Sequence, residues 1–202
     1  MNRAKMSLAG LLVAVMAFVA VPAAAQAATI TISGSTSVAP LATLLAQKYV
    51  KGAGKGTKFK ILQGGSDVGI SDVSKDRVTI GMSSRDPKPT DPGGIVFNRI
   101  AKDAICLVTN PANAVPAFDQ ALVQNVFSGK ISNWNDVGGK DAPIDLYIRD
   151  PVSGTYLGFQ ELAMDNRPYA KAATQLHSYH EIAEAIAKNP NGIGYTGMTL
   201  VP

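Results

Sequence analysis

Cysteine is almost missing from this chain of 202 residues: Cys106 is the single thiol, so no disulfide framework exists. It lies in AICLVT, an apolar run that reads as a buried strand, and a packed thiol is the expected state. Histidine is nearly as scarce. His177 and His180 stand three apart, but no third ligand or nearby carboxylate cluster completes a metal set with them. Aromatic residues make up 6% of the chain and are not interleaved with basic ones, which argues against a stacking surface for nucleic acid. Basic residues are scattered, apart from a loose group at Lys51, Lys55, Lys58 and Lys60 that reads as a solvated loop. The glycine-rich segments lack the lysine of a phosphate-binding P-loop, which argues against nucleotide. No metal, cofactor or nucleic-acid partner is expected.

The N-terminus sets the compartment. Arg3 and Lys5 precede an apolar run from Leu8 to Val21, and Ala25-Gln26-Ala27 offers a small-x-small cleavage site. Residues 1–27 therefore read as a signal peptide, with the mature chain beginning near Ala28. The run is short for a bilayer span and Pro22 follows it, which disfavours an anchor. No cysteine near the cleavage site offers a lipid attachment. A soluble exported protein is expected, periplasmic in a cell with two membranes and otherwise secreted. Of the 19 lysines and arginines, Arg3 and Lys5 leave with the leader, so 17 face 15 acidic residues and the balance falls to +2. The remaining chain of about 175 residues suffices for one sizeable core or two small lobes.

What is present is alternation. TITI near residue 30, FKIL near 60, VTIGM near 80, AICLVT near 106, IDLYI near 146 and GIGYT near 194 read as strands, with helical patterns between them, and predict an α/β architecture. Val38, Leu41, Leu45 and Tyr49 share one face of the first helix; Tyr156, Phe159 and Leu162 share a face of a later one. Ser178-Tyr179-His180-Glu181 is a capping box opening a helix with Ile182 and Ile186 inside, which should stop near Asn189. The loop from Asp86 to Gly94 holds three prolines and belongs on the surface. Trp134, in a polar turn, is expected to pack into the second lobe. The division predicted is residues 28–108 plus 192–202 in lobe 1 and 109–191 in lobe 2, with two crossings forming a hinge.

Three helix starts carry the chemistry. RDPVSGTYLGF, from Arg149 to Phe159, places a cation, two hydroxyls and a glycine where an extended run gives way to a helix. First-turn N–H groups lack intrahelical partners and carry the positive end of the dipole, so Ser153, Gly154 and Thr155 can all donate toward one anion. Arg149 can add a planar, bidentate donor. SGSTSV (Ser33 to Val38) and QGGSDVG (Gln63 to Gly69) repeat the device after TITI and FKIL. Alone, each is compatible with an ordinary helix cap. Together they point to a tetrahedral oxyanion.

In order, SGSTSVAPL, QGGSDVGISDV, IGMSSRDP, VFSGKISNWNDVGG, RDPVSGTYLGF and NPNGIGYTGM resemble the blocks of the phosphate-binding proteins of phosphate ABC transporters, the PstS family, over nearly all of the mature chain. The resemblance implies a two-lobed, type II periplasmic-binding-protein fold with a ligand cleft between the lobes, here shortened at the C-terminus. It implies a monomeric receptor that hands inorganic phosphate to a membrane permease and its ATPase. The family's ligand positions fall on Thr36, Ser37, Ser66, Ser84, Arg149, Ser153, Gly154 and Thr155.

Two departures stand out. Many family members carry an aspartate where this chain has Ser84. A serine hydroxyl donates as well as accepts, so it rejects a fully deprotonated oxyanion less forcefully, which leaves sulfate or molybdate open. A serine satisfying backbone groups at a strand end is the plainer reading of Ser84. Around the arginine, Asp150 follows directly, with Pro151 and Val152 where the family often has an acidic residue and a glycine; Asp150 is expected to orient the guanidinium. Arg85, beside Asp86, is expected to form a structural ion pair or a lobe-edge contact rather than bind ligand. An exported phosphatase using Ser153 or Thr155 lacks an activating base, since no histidine falls in a motif block.

Overall fold

The computed structural model describes residues 29–113, 115 and 117–198. The signal peptide expected at 1–27 and residues 199–202 lie outside them. The first half of the fold is β1 (Thr29–Gly34), α1 (Ala39–Lys51), β2 (Lys58–Gln63), α2 (Ser66–Ser74) and β3 (Ile80–Met82). These strands form a parallel sheet in the order β2-β1-β3, with Ile30 opposite Phe59 and Ile32 opposite Ile61. Parallel neighbours require crossovers, and α1 and α2 supply them.

The second half is β4 (Ile105–Thr109), α3 (Gln120–Phe127), a 3₁₀ turn (Trp134–Val137), β5 (Asp145–Arg149), α4 (Gly154–Leu162), β6 (Thr174–Leu176), α5 (Tyr179–Lys188) and β7 (Gly192–Gly197). Its sheet runs β4-β7-β5-β6, parallel except for β4. Thus the predicted strands appear in their places, and β6, with only three residues, is added.

Two boundaries differ from the expected division. The chain from Gly192 does not return to the first sheet: β7 pairs in parallel with β5 and antiparallel with β4. All six of its residues are buried, as a central strand covered on both faces requires. Gly194 permits the close approach, since a Cβ there would stand 2.5 Å from the Tyr147 carbonyl oxygen. Likewise β4, placed with residues 28–108, belongs to the second sheet.

The cores are unequal. Val123, Val126, Phe127, Trp134, Leu146, Ile148, Phe159, Met164, Ile193 and Tyr195 fill the second half, whereas Ile32, Ala39 and Met82 form the buried centre of the first. Trp134 packs as expected, donating its indole N–H to the Asn191 carbonyl at 3.0 Å. The face of α1 is a correction. Leu45 and Tyr49 are about half exposed, and the helix buries Ala39 and Ala46 instead, because small side chains let it lie close on the sheet. Leu162 in α4 is exposed, while Phe159 is buried. Cys106 is only half-buried, on β4. Ile182 and Ile186 face inward as predicted, and α5 ends at Lys188. Its cap is shifted by one residue: Ser178 Oγ accepts from Glu181 N–H, but Glu181 reaches back to His177 N–H.

At the end of β1, Gly34 has φ +127° and lies against Gly69 of α2, whose Cβ would stand 2.7 Å from the Gly34 Cα. Glycine at both positions lets α2 start against the end of the strand, and so brings its first residue, Ser66, to the same sheet end as Thr36 and Ser37.

Candidate oxyanion site

Arg149 closes β5 and is 1% exposed. Its backbone N–H donates to Tyr195 Oη at 3.1 Å and its Nε to the Leu176 carbonyl at 3.3 Å, which fixes the plane of the guanidinium. The remaining nitrogens reach across to the first half. Nη2 donates to Thr36 Oγ1 at 2.7 Å and Nη1 to Ser37 Oγ at 3.4 Å. Among the described residues, no carboxylate lies within ion-pair distance of it. Burial pulls the guanidinium below its ordinary value, while the charge of Asp150 pushes the other way.

The start of α4 lies beside it. Ser153 caps the helix, its Oγ accepting from the N–H groups of Thr155 and Tyr156 at 3.2 and 3.4 Å. Gly154 N–H donates across to Ser66 Oγ at 3.2 Å. A Cβ on Gly154 would stand 2.5 Å from Ser66 Oγ and 2.7 Å from Ser84 Oγ, so only glycine fits there. Thr155 Oγ1 is 3.1 Å from Ser37 Oγ and 2.8 Å from Tyr179 Oη.

The first half contributes matching hydroxyls. Ser66 opens α2, fully buried, and its Oγ accepts from Ser84 N–H at 3.0 Å and lies 3.2 Å from Ser84 Oγ. Thr36 and Ser37 do not cap α1; Ser35 Oγ accepts from Val38 N–H instead. Thr36 Oγ1 donates to the His177 carbonyl at 3.3 Å, so its hydroxyl ties the two halves together while accepting from Arg149. All eight residues singled out in the sequence thus converge from two sheets and two helix N-termini. Their neutral hydroxyls and N–H groups surround one buried cation, an arrangement suited to holding a compact anion.

Two neighbours differ from expectation. Asp150 does not hold the guanidinium; its Oδ2 is 3.0 Å from His177 Nδ1, because the carbonyl of Leu176 already occupies Arg149 Nε. Arg85 is an ion-pair residue, as expected, but its partners are Asp91, contacted by both Nη atoms at 2.9 and 2.7 Å, and Asp67 at 2.8 Å. Asp86 turns its carboxylate to Arg99. The proline-rich loop thereby acquires an anchor that its sequence did not advertise. Tyr179 was legible only as a member of the capping box, yet its ring faces Arg149, whose Cζ lies 5.5 Å from the ring centroid.

Residues 20–201 match the PBP superfamily domain, and the chain belongs to that family. The fold is that of the type II periplasmic binding proteins. More particularly, it is similar to the phosphate-binding protein PstS of Bacillus subtilis, with 32% identity over 169 residues, 82% of this chain and 56% of that protein. Among solved structures, it resembles a substrate-binding protein from Clostridium perfringens with bound phosphate, at TM-score 0.80 and 31% identity, covering 86% of this chain and 72% of that one. An ABC-type phosphate transport receptor from Vibrio cholerae matches with TM-score 0.69, 30% identity and the same coverage. The chain thus spans little more than half the length of the Bacillus protein.

Proposed function

We propose that this protein is a non-enzymatic receptor for inorganic phosphate, exported by its leader, that captures the anion between its two halves. Delivery to the permease and ATPase of an ABC transporter completes the proposal. The observation that carries it is Arg149: a buried guanidinium with hydroxyls for partners and the α4 N-terminus beside it. A buried cation is costly without a counter-charge, and an oxyanion bound here supplies one together with acceptors for the surrounding donors. The eight residues are proposed as its ligands, Thr36 through its backbone N–H because its hydroxyl is already engaged. Contacts that cross between the sheets, Arg149 to Thr36 and Gly154 to Ser66, link ligand capture to the closed arrangement. The relatives named for phosphate binding support the choice of anion.

A second reading, a receptor for sulfate or molybdate, rests on the hydroxyl cluster itself. No carboxylate hydrogen-bonds to Ser37, Ser66, Ser84 or Thr155 among the described residues, so proton acceptance falls to hydroxyls. For a phosphatase, neither histidine is placed to activate Ser153 or Thr155: His177 contacts Asp150, and His180 contacts Glu184. Calorimetric titration of the mature chain with phosphate and with sulfate, across the second ionisation of phosphate, tests the proposal. Tight binding of phosphate alone is the expected result. Equal affinity for sulfate would favour the broader oxyanion receptor, and turnover of a generic phosphate ester would favour the hydrolase.

A further inference from the structure

Tyr179 is the first residue of α5 and is buried, yet capping that helix falls to Ser178, not to it. Its ring lies against Gly197 of β7, where a Cβ would come within 2.7 Å of Tyr179 Cε2. The ring presents a face to the Arg149 guanidinium, with Cζ 5.5 Å from the centroid. Its hydroxyl ends 2.8 Å from Thr155 Oγ1. The phenol is thus packed against Gly197 and the Arg149 guanidinium, and its polar end reaches one of the proposed ligand hydroxyls.

We infer that Tyr179 is a positioning residue of the anion site, which aims the Thr155 hydroxyl proton at the ligand and holds the Arg149 guanidinium by its ring face. A phenol is a stronger donor than an aliphatic alcohol, so in the Tyr179–Thr155 pair the tyrosine donates and Thr155 accepts. Burial pushes the phenol above its ordinary value, so it keeps this proton across the physiological range. Ser37 Oγ likewise already accepts from Arg149 Nη1. Thr155 Oγ1 and Ser37 Oγ are also 3.1 Å apart, so one of their two protons lies between them; with its oxygen accepting from Tyr179, Thr155 can turn its own proton from Ser37 to the anion. The result is a one-way chain, Tyr179 to Thr155 to ligand, that presents donors only. The ring adds a cation–π contact that holds Arg149 without neutralising it, as a carboxylate would. Tyr179 therefore favours an anion rich in acceptors, and this role rests on the receptor reading above.

A double-mutant cycle in phosphate-free buffer, followed by calorimetric phosphate titration, tests this. Tyr179→Phe keeps the ring over Arg149 and removes only the donor; Thr155→Val removes the relayed hydroxyl. Each single variant is expected to weaken phosphate binding roughly tenfold, the cost of about one hydrogen bond, with melting temperature little changed. The double variant should bind no more weakly than Thr155→Val alone, because the phenol acts through Thr155. Wild-type affinity in Tyr179→Phe would overturn the inference, as would losses that multiply in the double variant. Tyr179→Leu, lacking the ring as well, should bind more weakly than Tyr179→Phe; equal affinity would remove the cation–π part. A wild-type chain that binds no oxyanion would instead overturn the receptor reading itself.

Discussion

Arg85 and Arg149 both have side chains shielded from solvent, one from each half of the fold, and they are treated in opposite ways. Arg85 lies between two carboxylates, with Asp91 held bidentately and Asp67 at its other side, and these contacts raise its ordinary pKa. Arg149 is buried as a whole residue, whereas Arg85 is only half-buried, yet the partners of Arg149 are hydroxyls and a carbonyl, and burial lowers its pKa. A cation whose charge is matched within the chain holds a loop in place. A cation left without a carboxylate suits, in the proposed function, an anion that arrives. Residue type does not separate the two roles; the charge of the nearest acceptors does.

Substitution should therefore split them. Arg149→Met is expected to lower phosphate affinity by at least about a hundredfold, since hydrogen bonds to a charged group are each worth about 1.5–3 kcal/mol. The same change should leave the ligand-free melting temperature unchanged or higher, because a buried, unmatched charge is removed. Arg85→Met should do the reverse. It strands Asp91 and Asp67 and costs about 2–3 kcal/mol, on the order of 5–10 °C in melting temperature, as measured by thermal unfolding without ligand.

Gly154→Ala tests the junction between the two arginines' surroundings. Its Cβ would stand 2.5 Å from Ser66 Oγ and 2.8 Å from the Arg85 backbone nitrogen. Forcing the halves apart there should weaken phosphate binding by roughly tenfold or more, on the same titration. Acid sharpens the contrast further. Arg85 holds the Asp91 carboxyl down at about 2, below its ordinary value of 3.8. A depressed carboxylate contributes stability in full above its unfolded value and loses it as pH falls through the folded one. Melting temperature should accordingly drop between about pH 4 and pH 2, and Asp91→Asn should flatten that limb while starting from a lower plateau. Ser84→Ala should have the smallest effect, about threefold in phosphate affinity, because Ser66 and the Gly154 N–H remain beside it.

Much of the candidate site was legible because its signals are local. A glycine next to serine or threonine at a strand-to-helix turn marks backbone donors whatever surrounds it, and so Ser66, Ser153, Gly154 and Thr155 could be found from short segments. Strands were readable for the same reason, through alternation in TITI and unbroken apolar runs in AICLVT. The remainder depended on contacts between distant segments. Which sheet β7 joins is decided by close packing on Tyr147, which GIGYT does not encode by itself. The buried side of α1 follows from room for Ala39 and Ala46, although hydrophobicity favoured Leu45 and Tyr49. Asp91 lies in a loop that reads as pure surface, and its role exists only because Arg85 reaches it. Tyr179 escaped for a similar reason: its sequence neighbours explain the helix cap, while its partners Thr155 and Arg149 lie more than twenty residues away.

The most direct measurement is a phosphate titration of wild type and Arg149→Met in phosphate-stripped buffer, with the ligand-free melting temperature of each recorded alongside. Saturable phosphate binding by wild type, its loss in the variant, and a variant melting temperature no lower than wild type are the predicted results. Phosphate affinity undiminished in Arg149→Met would contradict the account, since the cation at its centre would then have no part in holding the anion.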